Sequence, residues 1–250
     1  MIDTHVHLND EPLCNDLAGV LERARAAGVS AFVIPGYSPD GWRASRPIAA
    51  AHPGVHLAAG IHPMFADDAS LKALDGEIAA GGLVAIGEIG LDYALQEFDK
   101  AVQMRVFMAQ LDRAWEAKLP VAIHCRHAFD DLHAALREYN GLRGVLHSCS
   151  CSLEQIGAFL DLGYYVSFSG VVTRSQARKV KKLAQGVPLE RCLIETDSPY
   201  IGTEEHPPAE VEPCHLGEIA RALAVLRDEA LERVIEVTTR NACDLFNIDM

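Results

Sequence analysis

Met1-Ile2-Asp3-Thr4-His5-Val6-His7-Leu8 opens the chain as a run whose apolar residues are strand formers and which no turn residue interrupts. Because successive side chains of a strand point to opposite faces, His5 and His7 are expected to project the same way. Both imidazoles would then be close enough to bind one metal ion. A surface strand with two solvated histidines would share this pattern, so the metal interpretation depends on what recurs at the ends of later strands.

Strand-like apolar runs alternate with segments of helical periodicity along the whole chain. The predicted strands are Ile2–Leu8, Ala31–Pro35, Val55–Ile61, Leu83–Ile89, Pro120–His124, Gly144–His147, Tyr164–Phe168 and Cys192–Glu195. The predicted helices are Leu13–Ala27, Gly41–Ala51, Ser70–Ala80, Phe98–Lys118, Phe129–Tyr139, Leu153–Leu162, Ser175–Gln185, Pro213–Leu226 and Glu229–Phe246. Strands that alternate with helices favour a parallel sheet, and eight such units in 250 residues have the size of a closed barrel. The sequence therefore predicts an α/β fold, a single TIM-like (β/α)8 barrel domain over residues 1–250.

Composition narrows the class of protein further. No apolar run is long enough to span a membrane and no signal peptide is apparent, so a cytoplasmic location is expected. The seven cysteines are odd in number and scattered, which is typical of reduced cysteines rather than a disulfide framework. Cys149 and Cys151 resemble half of a soft-metal site, but no second pair completes it. The net charge of −13 argues against a large footprint on duplex DNA, although a cleft that carries bound cations is compatible with it.

Residues able to bind metals recur at the predicted C-terminal ends of the strands, where barrels of this kind carry their active sites. They are His5, His7, Glu88, His124, His147 and Asp197. Four imidazoles and two carboxylates suit divalent ions such as zinc, manganese or magnesium. Six ligands exceed the need of one tetrahedral ion but fit two ions that share a carboxylate, and Glu88 on strand four is the expected bridge. We assign His5, His7, Glu88 and Asp197 to one ion, and Glu88, His124 and His147 to the other.

Such a pair of ions predicts hydrolysis at phosphorus. Two ions roughly 3.5–4 Å apart can clamp the attacking and leaving oxygens of an in-line displacement, and a metal-bound water has a pKa of about 7. Asp197 is then placed to orient the water and accept its proton, which makes Asp197 and Glu88 the candidate catalytic residues. Taken singly, each histidine would be an ordinary hydrogen-bonded residue, Glu88 a salt-bridged carboxylate, and Asp197 a turn or helix cap.

Short motifs across nearly the whole chain resemble those of the TatD family of metal-dependent deoxyribonucleases, within the wider group of amidohydrolase-like barrels. In chain order they are IDTHVHL at the start, AAGIHP at His62, GEIGLDY at Glu88, QMRVF at Gln103–Phe107, PVAIHCRHA at His124, GVLHS at His147, VSFSGVVT at Ser167–Thr173, LIETDSPY at Asp197 and TRNACDLF near the end. Several hydrolase families share the HxH pattern alone, whereas the combination is specific.

The resemblance implies a TIM-like barrel, a divalent metal site and cleavage of phosphodiester bonds at DNA ends, commonly from an exposed 3′ end. The expected substrate is single-stranded or frayed DNA. In the family's His-Cys-Arg motif, the position of Arg126 is that of a phosphate-binding arginine, a role that suits a planar guanidinium. His62 and Arg174 follow strands three and seven and are further candidates for contact with substrate phosphate.

Several positions depart from the family pattern on the substrate side. Cys149 and Cys151 replace an aromatic residue and a glycine, His127 stands where an acidic residue is common, and Arg174-Ser175 replaces an aromatic–lysine pair. The loop Ile201–Glu212 carries Glu204 and Glu205 where basic residues are usual. None of these changes touches the predicted metal ligands.

Two other kinds of function remain open from the sequence. One is a metallohydrolase of an ester or amide, including a deacylase of an aminoacyl ester, although such barrels often carry a bridging lysine where strand four here has Glu88. The other is a catalytic subunit of a larger assembly, whose acidic surface would bind a partner protein.

Overall fold

The computed structural model describes residues 1–249 and shows a sheet of eight parallel strands in sequential order, with helices between them. This is the predicted TIM-type (β/α)8 fold. The strands are β1 Ile2–Asp3, β2 Ala31–Ile34, β3 Val55–Ala59, β4 Leu83–Asp92, β5 Val121–Arg126, β6 Gly144–Leu146, β7 Tyr165–Phe168 and β8 Cys192–Ile194. Met250, the last residue of the predicted domain, lies outside the described residues.

The helices lie where the periodicity predicts them, with ends that differ by up to a few residues. They are α1 Leu17–Ala26, α2 Pro39–Ala51, α3 Asp68–Ala80, α4 Lys100–Ala117, α5 Phe129–Leu136, α6 Leu153–Asp161, α7 Arg178–Gly186, α8 Leu216–Arg227 and α9 Leu231–Phe246. The largest shift at a helix start is at α1, where Leu13–Asp16 forms a 3-10 turn and Asp16 caps the helix by accepting the Gly19 N–H. Within the described residues, no helix has the length and apolarity needed to cross a lipid bilayer.

The first strand is much shorter than predicted. It ends at Asp3, and the predicted remainder of Ile2–Leu8 runs in an irregular path between β8 and β2. The backbone there alternates its partners, because the Thr4 N–H donates to Ile194 and the Val6 N–H to Val33. His5 and His7 still reach the same site, because both imidazoles lie beside the Asp197 carboxylate.

Contacts between the first and last strands bring the barrel close to closure. The Asp3 carboxylate accepts hydrogen bonds from the Thr196 N–H at 2.9 Å and from the Thr196 hydroxyl at 2.6 Å. The Asp197 N–H donates to the His5 carbonyl at 2.9 Å. Two of the predicted metal-binding segments are therefore fixed to each other by the backbone.

The opposite end of the barrel is apolar. Small side chains from neighbouring strands, among them Ala58, Ala85 and Ala122, pack in one buried cluster with Phe246 and Ile248 from the C-terminal end of the chain. Burial of this apolar surface favours folding by roughly 25 cal/mol per Å². Polar and charged side chains are thus concentrated at the other end, the C-terminal mouth of the strands.

Candidate metal centre

The six predicted ligands come together at the barrel mouth, from segments that are far apart in sequence. His5 and His7 follow β1, Glu88 lies within β4 and His124 within β5, while the remaining two follow β6 and β8. The imidazole and carboxylate groups are largely buried, with side-chain exposure between 1% and 15%. The strand-end pattern in the sequence therefore corresponds to one compact group of side chains.

Glu88 lies between two sets of imidazoles, as expected of a bridge. Its Oε2 atom is 3.4 Å from His5 Nε2. Its Oε1 atom is 2.8 Å from His147 Nε2 and 3.1 Å from His124 Nδ1. The two oxygens of one carboxylate thus face the two predicted ligand sets.

The planes of the histidine rings separate the same two sets. A metal ion lies close to the plane of each imidazole that binds it, because the nitrogen lone pair is in the ring plane. The rings of His5 and His147 are stacked at 4.1 Å with only 6° between their planes, so their lone pairs cannot converge on one ion. The rings of His5 and His7 meet at 67°, which permits convergence.

Buried ring nitrogens without a hydrogen-bond partner show that this group of imidazoles and carboxylates fits a cation. Both ring nitrogens of His5 are buried without a hydrogen-bond partner among the described residues, and its Nε2 faces Glu88 and Asp197. A buried polar atom without a partner is costly, and a metal ion is the natural partner for an imidazole lone pair. The nitrogen and carboxylate donor set matches the preference of divalent first-row metals.

The electrostatics keep Glu88 available as an anionic ligand. Burial acts to raise its pKa, but the neighbouring imidazoles, His147 foremost, outweigh burial and hold the pKa well below its usual value. The carboxylate is therefore ionised at neutral pH. It supplies negative charge at the centre of the imidazole group, where a cation would bind.

Asp197 lies on the side of the centre formed by β1. Its Oδ1 atom is 3.4 Å from His7 Nε2 and 3.9 Å from His5 Nε2. Its backbone has a φ of +51°, in the left-handed region that residues other than glycine rarely adopt. Strain of this kind tends to occur at functional sites, where the surrounding structure holds it.

Three further carboxylates lie behind the imidazoles, and sequence reasoning gave none of them a role. Asp92 Oδ2 is 3.1 Å from His124 Nε2, and Asp10 Oδ2 is 3.5 Å from His7 Nδ1. Glu195 Oε1 is 3.6 Å from His147 Nδ1. A metal-binding histidine commonly has a carboxylate on its other nitrogen, which fixes its tautomer and orientation. The available signal was an acidic residue near each strand end, at Asp92 in GEIGLDY and Glu195 in LIETDSPY.

Two glutamines of α4 hold the strand ends in place. The side-chain amide of Gln103 accepts from the Asp92 N–H and donates to the Asp92 carbonyl, at 2.9 and 3.1 Å. Gln110 makes the same pair of bonds with Ile61, at 2.6 and 3.1 Å. The two glutamines are seven residues apart, about two helical turns, so they lie on one face of the helix. These bonds hold the backbone of Ile61, next to His62, and the backbone of Asp92, whose carboxylate lies behind His124.

Replacement of Asp92 by asparagine is expected to weaken metal binding by about 10- to 100-fold, the usual cost of losing a partner behind a ligand. The asparagine amide presents less negative charge to His124 Nε2 and can turn its N–H₂ toward that nitrogen. Titration of the metal-free protein with Zn²⁺ against a competing chelator measures the change. Asp112→Asn, at an exposed position on α4, is the matched control and should bind as the wild type does. Unchanged affinity in Asp92→Asn would contradict the role assigned to this carboxylate.

His62 approaches the centre as a hydrogen-bond donor rather than a ligand. Its Nδ1 accepts the Met64 N–H at 3.1 Å, so the ring proton of the neutral imidazole resides on Nε2. Nε2 points toward Glu88 Oε1 at 3.6 Å. Burial lowers the pKa of His62 to about 4, which keeps the ring neutral. Its geometry thus favours contact with an anionic group bound at the centre.

The two predicted arginines have different surroundings. Arg126 ends β5 beside His124, its side chain is 58% exposed, and Nη1 is 3.7 Å from Asp92 Oδ2. Arg174 follows β7, and its guanidinium donates two hydrogen bonds to the Gly202 carbonyl, at 3.2 and 2.8 Å. Arg126 is open to a substrate at the mouth, whereas Arg174 is engaged by the loop after β8. A substrate contact by Arg174 stays a prediction.

A second group of potential ligands lies by the loop after β8, at His206, His215 and Glu218. The two imidazoles are stacked at 3.8 Å and 10°, so their lone pairs do not converge. His215 Nδ1 also accepts the Glu212 N–H at 3.0 Å, which leaves a proton on its other nitrogen. The group therefore has the geometry of a packing contact that attaches the loop to α8.

Comparison with known proteins agrees with the fold and with a metal-dependent hydrolase. The family model described as TatD-related DNase matches residues 2–247. An uncharacterized metal-dependent hydrolase of Escherichia coli (strain K12), YcfH, is 36% identical and covers 100% of this chain and 96% of its own length. The 3′-5′ ssDNA/RNA exonuclease TatD of Edwardsiella piscicida is 32% identical over 99% of this chain and 100% of its own. The crystal structure of YjjV, a TatD homologue from Escherichia coli K12, has a TM-score of 0.94 at 29% identity, covering 100% of this chain and 98% of that one. This chain belongs to the TatD family of metal-dependent hydrolases.

Proposed function

We propose that this protein is a deoxyribonuclease that removes nucleotides from the 3′ ends of single-stranded or frayed DNA. The observation that carries the proposal is the position of Glu88, whose two oxygens face His5 on one side and His124 and His147 on the other. A shared carboxylate between two ligand sets is suited to two-metal hydrolysis of phosphate esters. The relative named as a 3′-5′ exonuclease supports this choice of substrate and polarity.

The proposed centre holds two divalent ions, zinc, manganese or magnesium. His5, His7 and Asp197 would hold the first ion, His124 and His147 would hold the second, and Glu88 would contribute to both. Ions bound there supply charge stabilisation for a phosphoryl group and lower the pKa of a water molecule.

The remaining steps belong to side chains of the chain itself. Burial favours a raised pKa for Asp197, but a hydrogen bond from His7 and the charges of His5 and His147 hold it below its usual value. The ionised carboxylate can therefore accept the proton of the attacking water. His62 Nε2–H and the Arg126 guanidinium are placed to donate to oxygens of the phosphate.

Exposed aromatic side chains near the mouth favour a single strand over a duplex. Phe65 follows β3, Phe98 follows β4 and Tyr200 follows β8, with 44%, 42% and 56% exposure. Unpaired bases stack on such side chains, at about 1–3 kcal/mol per base. Bases within a duplex have no free face to offer. We also propose a cytoplasmic location, which the seven unpaired thiols suit.

Metal affinity is expected to rise with pH across the neutral range. Burial acts to lower the pKa of His147, but Glu88 and Glu195 outweigh it, so the pKa lies well above its usual value. The pKa values of His7 and His124 are raised for the same reason, by Asp197 and by Asp92. Protons must leave these rings before a metal binds, so affinity should gain about tenfold per pH unit for each proton displaced.

Calorimetric titration with Zn²⁺ in buffers of different ionisation enthalpy counts the released protons directly. The account predicts proton release at pH 6 that declines as the pH rises. An affinity that stays constant between mildly acidic and mildly alkaline pH, without proton release, would contradict the assignment of these imidazoles as ligands.

Cleavage assays on 3′-labelled and 5′-labelled single-stranded DNA test the proposed function. The metal-free protein would be supplied with Mg²⁺, Mn²⁺ or Zn²⁺, and wild type compared with Glu88→Ala. Stepwise shortening from the 3′ end by the wild type alone is the expected result. No cleavage with any metal, from protein shown to bind two ions, would reject the DNA-end function. Ester and amide substrates, and RNA, would then be assayed with the same preparation.

A further inference from the structure

A cavity of about 590 Å³ lies beside the metal centre, between the loops that follow β5 and β6 and the start of α7. We call it the β5–β6 pocket. Its lining includes Lys100, Arg126, His127, Ser150, Gln155 and Lys179. Cys125, which directly follows the predicted ligand His124, also lines it, so the pocket and the centre share a wall.

Three lysine or arginine side chains line the pocket against two aspartates, in a protein whose net charge is −13. Lys179 is exposed at the start of α7, and within residues 1–249 it makes no ion pair. Arg126 has one acidic neighbour, Asp92, at 3.7 Å. Two acidic residues, Asp130 and Asp131, also line the pocket, and Asp131 is neutralised by Lys100 at 2.7 Å. Lys179 and Arg126 thus remain as pocket donors that no carboxylate of the described residues binds closely.

An aromatic pair adjoins these cations. The rings of Tyr93 and Phe98 are stacked at 5.5 Å and 10°, and Lys100 Nζ lies 4.7 Å from the centre of the Tyr93 ring. Phe98 is partly exposed at the edge of the pair. The cations can bind a phosphate, and the aromatic face beside them can stack a base. This combination suits a nucleic-acid strand better than a free phosphate ion.

The other side of the mouth, at the loop after β8, is acidic. The loop after β8 carries Glu204 and Glu205, and the Glu204 carboxylate accepts the Ser175 N–H at 2.9 Å. Arg174 beside this loop is already bonded to the Gly202 carbonyl. A polyanion at the metal centre would therefore be repelled toward the opposite side.

We propose that the β5–β6 pocket is a phosphate subsite for the strand beyond the scissile bond, in which Lys179 and His127 contact a phosphate that does not react. The proposal rests on the proposed nuclease function and specifies the path along which the DNA strand would leave the metal centre. Arg126, between the pocket and the centre, would contact the phosphates on either side of it. The strand leaves the mouth over β5 and β6, away from the acidic loop after β8.

The test measures binding to the metal-loaded protein by fluorescence anisotropy. It compares two hydrolysis-resistant phosphorothioate ligands, an oligodeoxythymidylate and a dinucleotide. Lys179→Gln should weaken binding of the oligonucleotide and reduce the slope of log affinity against log salt by about 0.7, the loss of one phosphate contact on a single strand. The dinucleotide does not reach the pocket, so its affinity should not change. Lys72→Gln, an equal charge change on the exposed face of α3, is the control.

Each outcome decides the proposal. Equal slopes for Lys179→Gln and Lys72→Gln would overturn it, as would equal weakening of the dinucleotide and the oligonucleotide, which would place Lys179 at the centre itself. A wild type that does not bind the oligonucleotide would also overturn it. Because binding is measured without turnover, a protein that binds through Lys179 but does not cleave DNA would fail only the proposed function.

Discussion

Replacement of Glu88 by glutamine is expected to lower kcat/KM for DNA cleavage by at least about a thousandfold, or about 4 kcal/mol of transition-state stabilisation. Glutamine keeps the size of the side chain but removes its charge and replaces one oxygen by an N–H₂ group. That group cannot bind a cation. One of the two ligand sets, at His5 or at His124 and His147, would then lose its shared oxygen.

The metal content of the variant distinguishes loss of the bridging ligand from loss of the folded structure. We expect about one bound ion or fewer in Glu88→Gln by elemental analysis, together with an unchanged circular dichroism spectrum. Glu116→Gln, on the exposed surface of α4, is the matched control and should retain metal and activity. A Glu88→Gln protein with two ions and wild-type activity would show that the carboxylate does not bridge.

Replacement of Asp197 by asparagine is expected to reduce kcat by about a thousandfold, with a smaller effect on KM. The side chain is buried against His7 and His5, and its pKa is held below the usual value, so in the wild type it is an ionised proton acceptor. The asparagine oxygen remains a neutral ligand but cannot take up a proton. Single-turnover cleavage measures the chemical step apart from product release.

Asp228→Asn is a closely matched control for this change. Asp228 is exposed after α8 and has a φ of +53°, against +51° for Asp197, so both substitutions place asparagine in the left-handed region. Any effect of the backbone alone should appear in both variants. If Asp197→Asn retained the wild-type kcat, another group would have to accept the proton.

The alternation of apolar runs with helical segments was enough to predict the barrel, because each strand–helix unit has its own periodicity. The candidate ligands could be predicted in the same way, since the C-terminal ends of parallel strands meet at one mouth. The same reasoning placed Glu88 at the centre from its strand alone. The geometry of the two oxygens of Glu88 agrees with that placement.

The sequence could not predict the partners of the imidazoles. Whether Asp10, Asp92 or Glu195 faces a histidine depends on side-chain rotamers and on the register between strands, which periodicity does not specify. The end of β1 at Asp3 was missed for a related reason, because the backbone after it bonds alternately to two strands and forms no regular ladder. The bonding of Arg174 to Gly202 likewise depends on the path of a loop.

The most direct test of the account is a crystal structure of the protein loaded with Mn²⁺, with diffraction measured at the manganese absorption edge. The account predicts two anomalous peaks roughly 3.5–4 Å apart, on either side of the Glu88 carboxylate. One peak should lie among His5, His7 and Asp197, and the other between His124 and His147. A single peak in the fully loaded protein, or two peaks that do not share Glu88, would contradict the two-ion centre.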